Sequence, residues 1–148
     1  MPKIDVDALP LRQGSGYPEP FRQRSLTRTK KRLGDGAGLT DFGVNLTRLP
    51  AGEWSSARHW HKLEDEFVYV LEGELVLVTD EGETVMKAGD CAGFPKNTPN
   101  GHHMLNRSDK DAVYLEVGSR RAGEEAFYPD IDLHMSDAGW SHKDGTKY

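Results

Sequence analysis

Gly52-Glu-Trp-Ser-Ser-Ala-Arg-His59-Trp-His61-Lys-Leu-Glu-Asp-Glu66-Phe-Val-Tyr-Val-Leu-Glu-Gly73 is the stretch that decides the fold. Successive side chains of a strand point to opposite faces, so His59 and His61 share one face and Trp60 takes the other. Glu66 opens the next strand and returns a carboxylate toward the two imidazoles. Two histidines on one strand face, a carboxylate five residues on, and a further histidine (His102 or His103) in a later strand form a donor set suited to a metal. Flanking it, strand-like runs at 39–49, 66–71, 74–79, 84–87 and 112–117 alternate with turn segments such as Asp80-Glu-Gly-Glu83 and Lys87-Ala-Gly-Asp90. Short strands about ten residues apart predict an all-β sandwich or barrel. The barrel is assigned to 39–118, between an N-terminal extension (1–38) and a C-terminal one (119–148). Residues 33–39, rich in glycine, read as a connection, and 123–128 as at most one helical turn.

The chain of 148 residues has the size of one domain. Its longest apolar runs, Phe67-Val-Tyr-Val-Leu71 and Leu75-Val-Leu-Val78, fall far short of the ~20 residues of a spanning helix, which excludes an α-helical membrane class. Asp5 and Asp7 stand where a signal peptide would be apolar, and Cys91 is the lone cysteine, so a cytoplasmic protein without disulfides is expected. Lys and Arg number 19 against 24 Asp and Glu, a net charge of −5, yet Arg22, Arg24, Arg28, Lys30, Lys31 and Arg32 form a run free of acids. Without interleaved aromatics or a helix-turn-helix pattern, this run reads as a solvated strand and nucleic-acid binding is not expected.

The stretch quoted above resembles the first motif of the cupin superfamily: glycine, His-x-His, glutamate after four residues, glycine after six more. Gly89-Asp-Cys-Ala-Gly-Phe-Pro95-Lys-Asn-Thr-Pro-Asn-Gly-His102-His-Met-Leu-Asn106 is similar to the second, Gly-Asp, then Pro, then His-x-x-x-Asn. With Asn-Gly-His-His and the ending His142-Lys-Asp-Gly-Thr-Lys-Tyr148, the chain resembles a single-domain bacterial cupin group. The resemblance implies a small antiparallel β-barrel or jelly roll of six to eight strands, a homodimer, and one divalent metal held by His59, His61, Glu66 and His102. Spacing selects His102 over His103, which is expected at the pocket rim or in a subunit contact. Asn97 replaces a family glycine, and Asn100-Gly101 is inserted before the histidines.

Neutral imidazoles with one carboxylate suit Fe, Mn, Ni, Cu or Zn and leave coordination positions open to a small-molecule substrate. The reading is a metal-dependent enzyme, an oxygenase or a sugar-type isomerase; the alternative is a non-catalytic module that binds or senses a sugar or carboxylate. Cys91 reads as a small buried residue, Trp60 as packing against a neighbouring sheet or subunit, and Glu64, Asp65, His134 and His142 as surface groups. Residues 66–71 are apolar on both faces, which calls for a cover over the outer one, most simply a second subunit.

Overall fold

The computed structural model describes residues 2–148, and its strands all pair antiparallel. In chain order they are β1 (Arg12–Gln13), β2 (Thr29–Arg32), β3 (Phe42–Leu49), β4 (Trp60–His61), β5 (Glu66–Glu72), β6 (Glu74–Thr79), β7 (Gly82–Lys87), β8 (Cys91–Phe94), β9 (His103–Leu105), β10 (Ala112–Ser119), β11 (Ala126–Phe127), β12 (His134–Ser136) and β13 (Gly139–Ser141). A six-stranded sheet runs β1-β2-β3-β10-β5-β8, a three-stranded one β7-β6-β9, and a four-stranded one β13-β12-β11-β4. The sheets form a jelly roll that does not close into a continuous barrel. Among the described residues no helix is long and apolar enough to cross a membrane.

The core lies between the six- and three-stranded sheets. Leu49, Val68, Val70, Ala112 and Tyr114 from the first meet Leu75, Met86 and Met104 from the second. Alternation along β5 sends Val68 and Val70 inward and leaves Phe67, Tyr69 and Leu71 on the outer face at 41%, 38% and 41% exposure. The turn from β5 to β6 depends on Gly73, whose φ is +80° and whose missing Cβ would lie 2.8 Å from the Asp111 carbonyl oxygen.

Three expectations change. Residues 123–128 contain strand β11 in place of a helical turn, because Ala126 and Phe127 extend the sheet begun by β4. The glycine-rich connection holds one short helical turn, α1 (Leu33–Gly36). Cys91 is exposed: β8 is an edge strand of the six-stranded sheet, and Cys91 stands opposite Tyr69 on the uncovered outer face. The C-terminal extension carries its own small core, in which Ala126, Tyr128 and Leu133 are buried with Tyr17, Phe21 and Trp140 packed on them.

Candidate metal centre

His59 precedes β4 and pairs with His102 through two backbone hydrogen bonds, from His59 N to the His102 carbonyl (3.2 Å) and from His102 N to that of His59 (2.9 Å). His61 ends β4 and Glu66 begins β5. Trp60 faces the other way and stacks on Phe127, its register partner on the adjacent strand β11, with centroids 4.4 Å apart, so this contact lies within its own sheet.

Three imidazoles converge on one carboxylate. His102 Nε2 lies 2.5 Å from Glu66 Oε2, His61 Nε2 3.1 Å from Oε1, and His59 Nε2 3.6 Å from Oε2. One donor atom each of His59, His61 and Glu66 falls within 4.8 Å of the others. The His59 Nδ1–H is held by the Ala57 carbonyl at 2.8 Å, which leaves Nε2 free to ligate. His61 Nε2 approaches Glu66 off the hydrogen-bond direction, so both ring nitrogens of His61 are buried without a hydrogen-bond partner, as is Nδ1 of His102. Unpartnered imidazole nitrogens around a carboxylate fit a shared divalent transition metal, with His59, His61, Glu66 and His102 as the donors available to hold it.

The charge balance follows. Burial pushes the Glu66 carboxyl up, but the hydrogen bond with His102 and the closeness of His59 and His61 outweigh it and hold the group well below the usual carboxylate range. Burial works against a charged His61, yet the Glu66 carboxylate 3.1 Å away, and then Glu124 and Glu64, lift its pKa above the ordinary imidazole value. For His102 burial prevails, reinforced by the charges of His59 and His61 against the pull of Glu66, and the pKa falls.

His103 points the other way. Its Nδ1 lies 2.9 Å from the Ser56 carbonyl oxygen and its ring meets Trp54 edge to face at 4.9 Å. It is buried, and it lines the same cavity as His102. Asn106 explains the motif spacing: its buried amide donates to the carbonyls of Leu49 (2.8 Å) and Lys110 (2.7 Å) and pins the chain after β9. Asn97 adopts φ +54°, a left-handed conformation that asparagine tolerates in place of glycine, and its N–H bonds the His61 carbonyl at 2.8 Å. The inserted Gly101 sits where a Cβ would lie 3.0 Å from Pro129 and 3.1 Å from Arg58, so the insertion docks under the C-terminal extension.

Two acidic residues depart from the sequence reading. Glu64 is half-buried and lines the cavity, where burial raises its pKa; it is not a plain surface charge. Glu124 was not anticipated at all. It is buried, accepts the backbone N–H groups of Lys62 and Leu63 at 2.9 Å each, and lies 3.4 Å from His61 Nδ1. Nothing in the polar stretch around it distinguishes this glutamate from its neighbour Glu125. His134 and His142 bond Glu125 and Asp132 within the extension, at 2.9 and 2.8 Å.

The cluster opens onto a cavity of about 610 Å³. The basic run, expected to be solvated, supplies its far side: β2 forms as a strand, and Arg28, Lys30 and Arg32 line the cavity. Lys30 pairs with Glu116 of β10, which Asn45 Nδ2 also contacts at 3.1 Å.

No curated protein matches the chain. Among solved structures, one from Silicibacter pomeroyi, described as a sugar phosphate isomerase from a cupin superfamily, is 47% identical; the match covers 99% of this chain and 96% of that one, with a TM-score of 0.93. A second, from Acidithiobacillus ferrooxidans, whose name carries sugar phosphate isomerase as provisional, is 31% identical over 78% of this chain and 74% of that one, TM-score 0.72. A third, from Thermotoga maritima, named a predicted oxalate decarboxylase, shares the fold at 19% identity over 80% and 99% of the two chains, TM-score 0.65. The cupin domain model matches residues 45–118, a span that contains all four converging side chains, and this chain belongs to the cupin superfamily.

Proposed function

We propose that the chain is a metal-dependent isomerase that moves the carbonyl of a small sugar between neighbouring carbons. In this reading it acts as a cytoplasmic homodimer with one divalent transition metal per subunit, held by His59, His61, Glu66 and His102. The observation that carries the reading is a cavity shared by the histidine cluster and Glu116, a carboxylate not engaged with any histidine. The isomerase named among the similar structures at 47% identity supports the same class.

A bound metal would polarise the oxygens on the two exchanging carbons and make the C–H of the hydroxyl-bearing one acidic. Glu116 takes the proton from the hydroxyl-bearing carbon and returns it to its neighbour, a transfer with no net oxidation. Its ion pair with Lys30 and the Asn45 amide orient it. Glu66 and the histidines hold the opposite wall.

The test is anaerobic incubation of the metal-loaded protein with aldose phosphates in D₂O. Isomerisation with solvent deuterium entering at the exchanging carbon is expected, and Glu116→Gln should abolish it with metal content unchanged. Oxygen consumption instead would mark an oxygenase, and tight binding without turnover a binding or sensing module; either overturns the reading.

A further inference from the structure

The isomerase reading leaves unexplained why the cavity wall opposite the histidines is basic. Alternation along β2 turns Lys30 and Arg32 to its inner face and Lys31 away, where Lys31 Nζ meets the Val6 carbonyl at 2.8 Å. Arg120, just past β10, reaches the same wall and bonds Asp35 at 2.5 Å; Arg32 approaches the other oxygen of Asp35 at 3.6 Å. Two guanidinium groups thus share one carboxylate, and Lys30 is matched by Glu116. Arg28, buried behind them, is held by the carbonyls of Ser55 and Gly14, and its Nε has no hydrogen-bond partner. The wall carries Arg28, Lys30, Arg32 and Arg120 against Asp35 and Glu116, a surplus of two positive charges. Across the cavity the balance reverses: Glu64 and Glu66 stand among the imidazoles of His59, His61 and His102.

Sheet register keeps the two walls apart. Glu66 pairs with Gly118, and Arg32 with Asn45, so β5 and β2 are separated by β10 and β3. Three strand spacings of ~4.8 Å put Glu66 and Arg32 about 14 Å apart at the backbone, while Arg120 follows β10, the strand beside β5. The long side chains of Arg32 and Arg120 extend into this gap, Arg120 over Gly43, where a Cβ would crowd its Nη2 at 3.2 Å.

We infer that Arg32 and Arg120 form a subsite for a dianionic phosphate ester, so that the substrate is a phosphorylated sugar whose carbonyl end reaches the histidines. Guanidinium groups suit phosphate because their N–H groups match its oxygens in pairs. Asp35 holds both arginines in place without neutralising them. The surplus of two charges equals that of a phosphate monoester, and the cavity volume exceeds what a metal and a two-carbon fragment fill. This inference rests on the isomerase reading for the orientation of the sugar, but not for the presence of the subsite.

Calorimetric titration of the metal-loaded protein with ribose 5-phosphate, ribose and inorganic phosphate tests it. The phosphate ester should bind far more tightly than ribose, and inorganic phosphate should compete with it. Arg32→Gln and Arg120→Gln should each weaken the ester about 10- to 100-fold, as expected for loss of a charge-assisted bond, and leave ribose binding unchanged. Metal content and melting temperature should match the wild type, and Arg120→Lys should recover part of the loss. Equal affinity for ribose and its phosphate, or no effect of either glutamine variant on the ester, overturns the subsite. Arginine-dependent phosphate binding without isomerisation of any sugar phosphate upholds the subsite and sinks the isomerase; isomerisation of free sugars insensitive to both variants does the reverse.

Discussion

His61 is the residue on which the two states of the centre compete. Metal requires a neutral ring, whereas Glu66 and Glu124 favour the charged one. The His61 pKa lies above the ordinary value of about 6.5, so metal affinity is lost as pH falls through a point higher than 6.5. His102, with a lowered pKa, is already neutral there and does not set the limit. Calorimetric titration with Mn²⁺ from pH 5.5 to 8.5 should place the midpoint above 6.5, and a midpoint below it contradicts the assignment. The adjacent histidines give a second prediction. His102→Ala should lower metal affinity by orders of magnitude, because it removes the imidazole 2.5 Å from Glu66. His103→Ala, whose ring turns to Ser56 and Trp54, should leave metal content near wild type while costing some stability through lost packing. Elemental analysis of both variants decides; loss of metal from His103→Ala alone would mean that Asn100-Gly101 had shifted the register.

At the scale of elements, the C-terminal extension acts as a clamp on the histidine strand. β11 pairs with β4, aligning Ala126 with His61. Arg58, one residue before His59, forms a two-pronged pair with Asp130 at 2.8 Å on each arm and also contacts Asp80. Glu124 closes the clamp by accepting the N–H groups of Lys62 and Leu63. Glu124→Ala leaves the Leu63 N–H without its acceptor, while Lys62 N keeps the Glu125 carbonyl at 3.0 Å, and should cost about 1–3 kcal/mol, visible in urea unfolding of the metal-free protein. It should also weaken metal binding about 10- to 100-fold, since the support of His61, a proposed ligand, is lost. An unchanged unfolding midpoint together with unchanged affinity would mean that the carboxylate is not part of the support. The strand containing His61 was visible as an alternating pattern. Its clamp was not, because Glu124 lies 62 residues from Lys62 and no local periodicity links them.

For the whole molecule, the uncovered outer face of the six-stranded sheet predicts assembly. Phe67, Tyr69 and Leu71 are exposed beside Leu115 and Val117 of β10, opposite Tyr69 and Phe67 in register. A strand apolar on both faces is stable when both are covered, and a second copy presents a matching sheet by two-fold symmetry. Sedimentation at micromolar concentration should show about twice 16.5 kDa, and Tyr69→Lys should shift the protein to monomer. A wild-type monomer would rule this out. What the sequence by itself determined was whatever repeats over two residues or sits in one short motif: the strands at 66–71 and 74–79, the antiparallel all-β class, and the shared face of His59 and His61. That His102 and His103 point apart was legible for the same reason, while the choice of His102 rested on the spacing to Asn106. Only the tertiary structure decided that Arg32 and Arg120 share Asp35, that Glu124 backs His61, and that Cys91 is exposed. Those outcomes depend on which strand lies beside which and on where a sheet ends, and strand order is set by contacts between residues tens of positions apart.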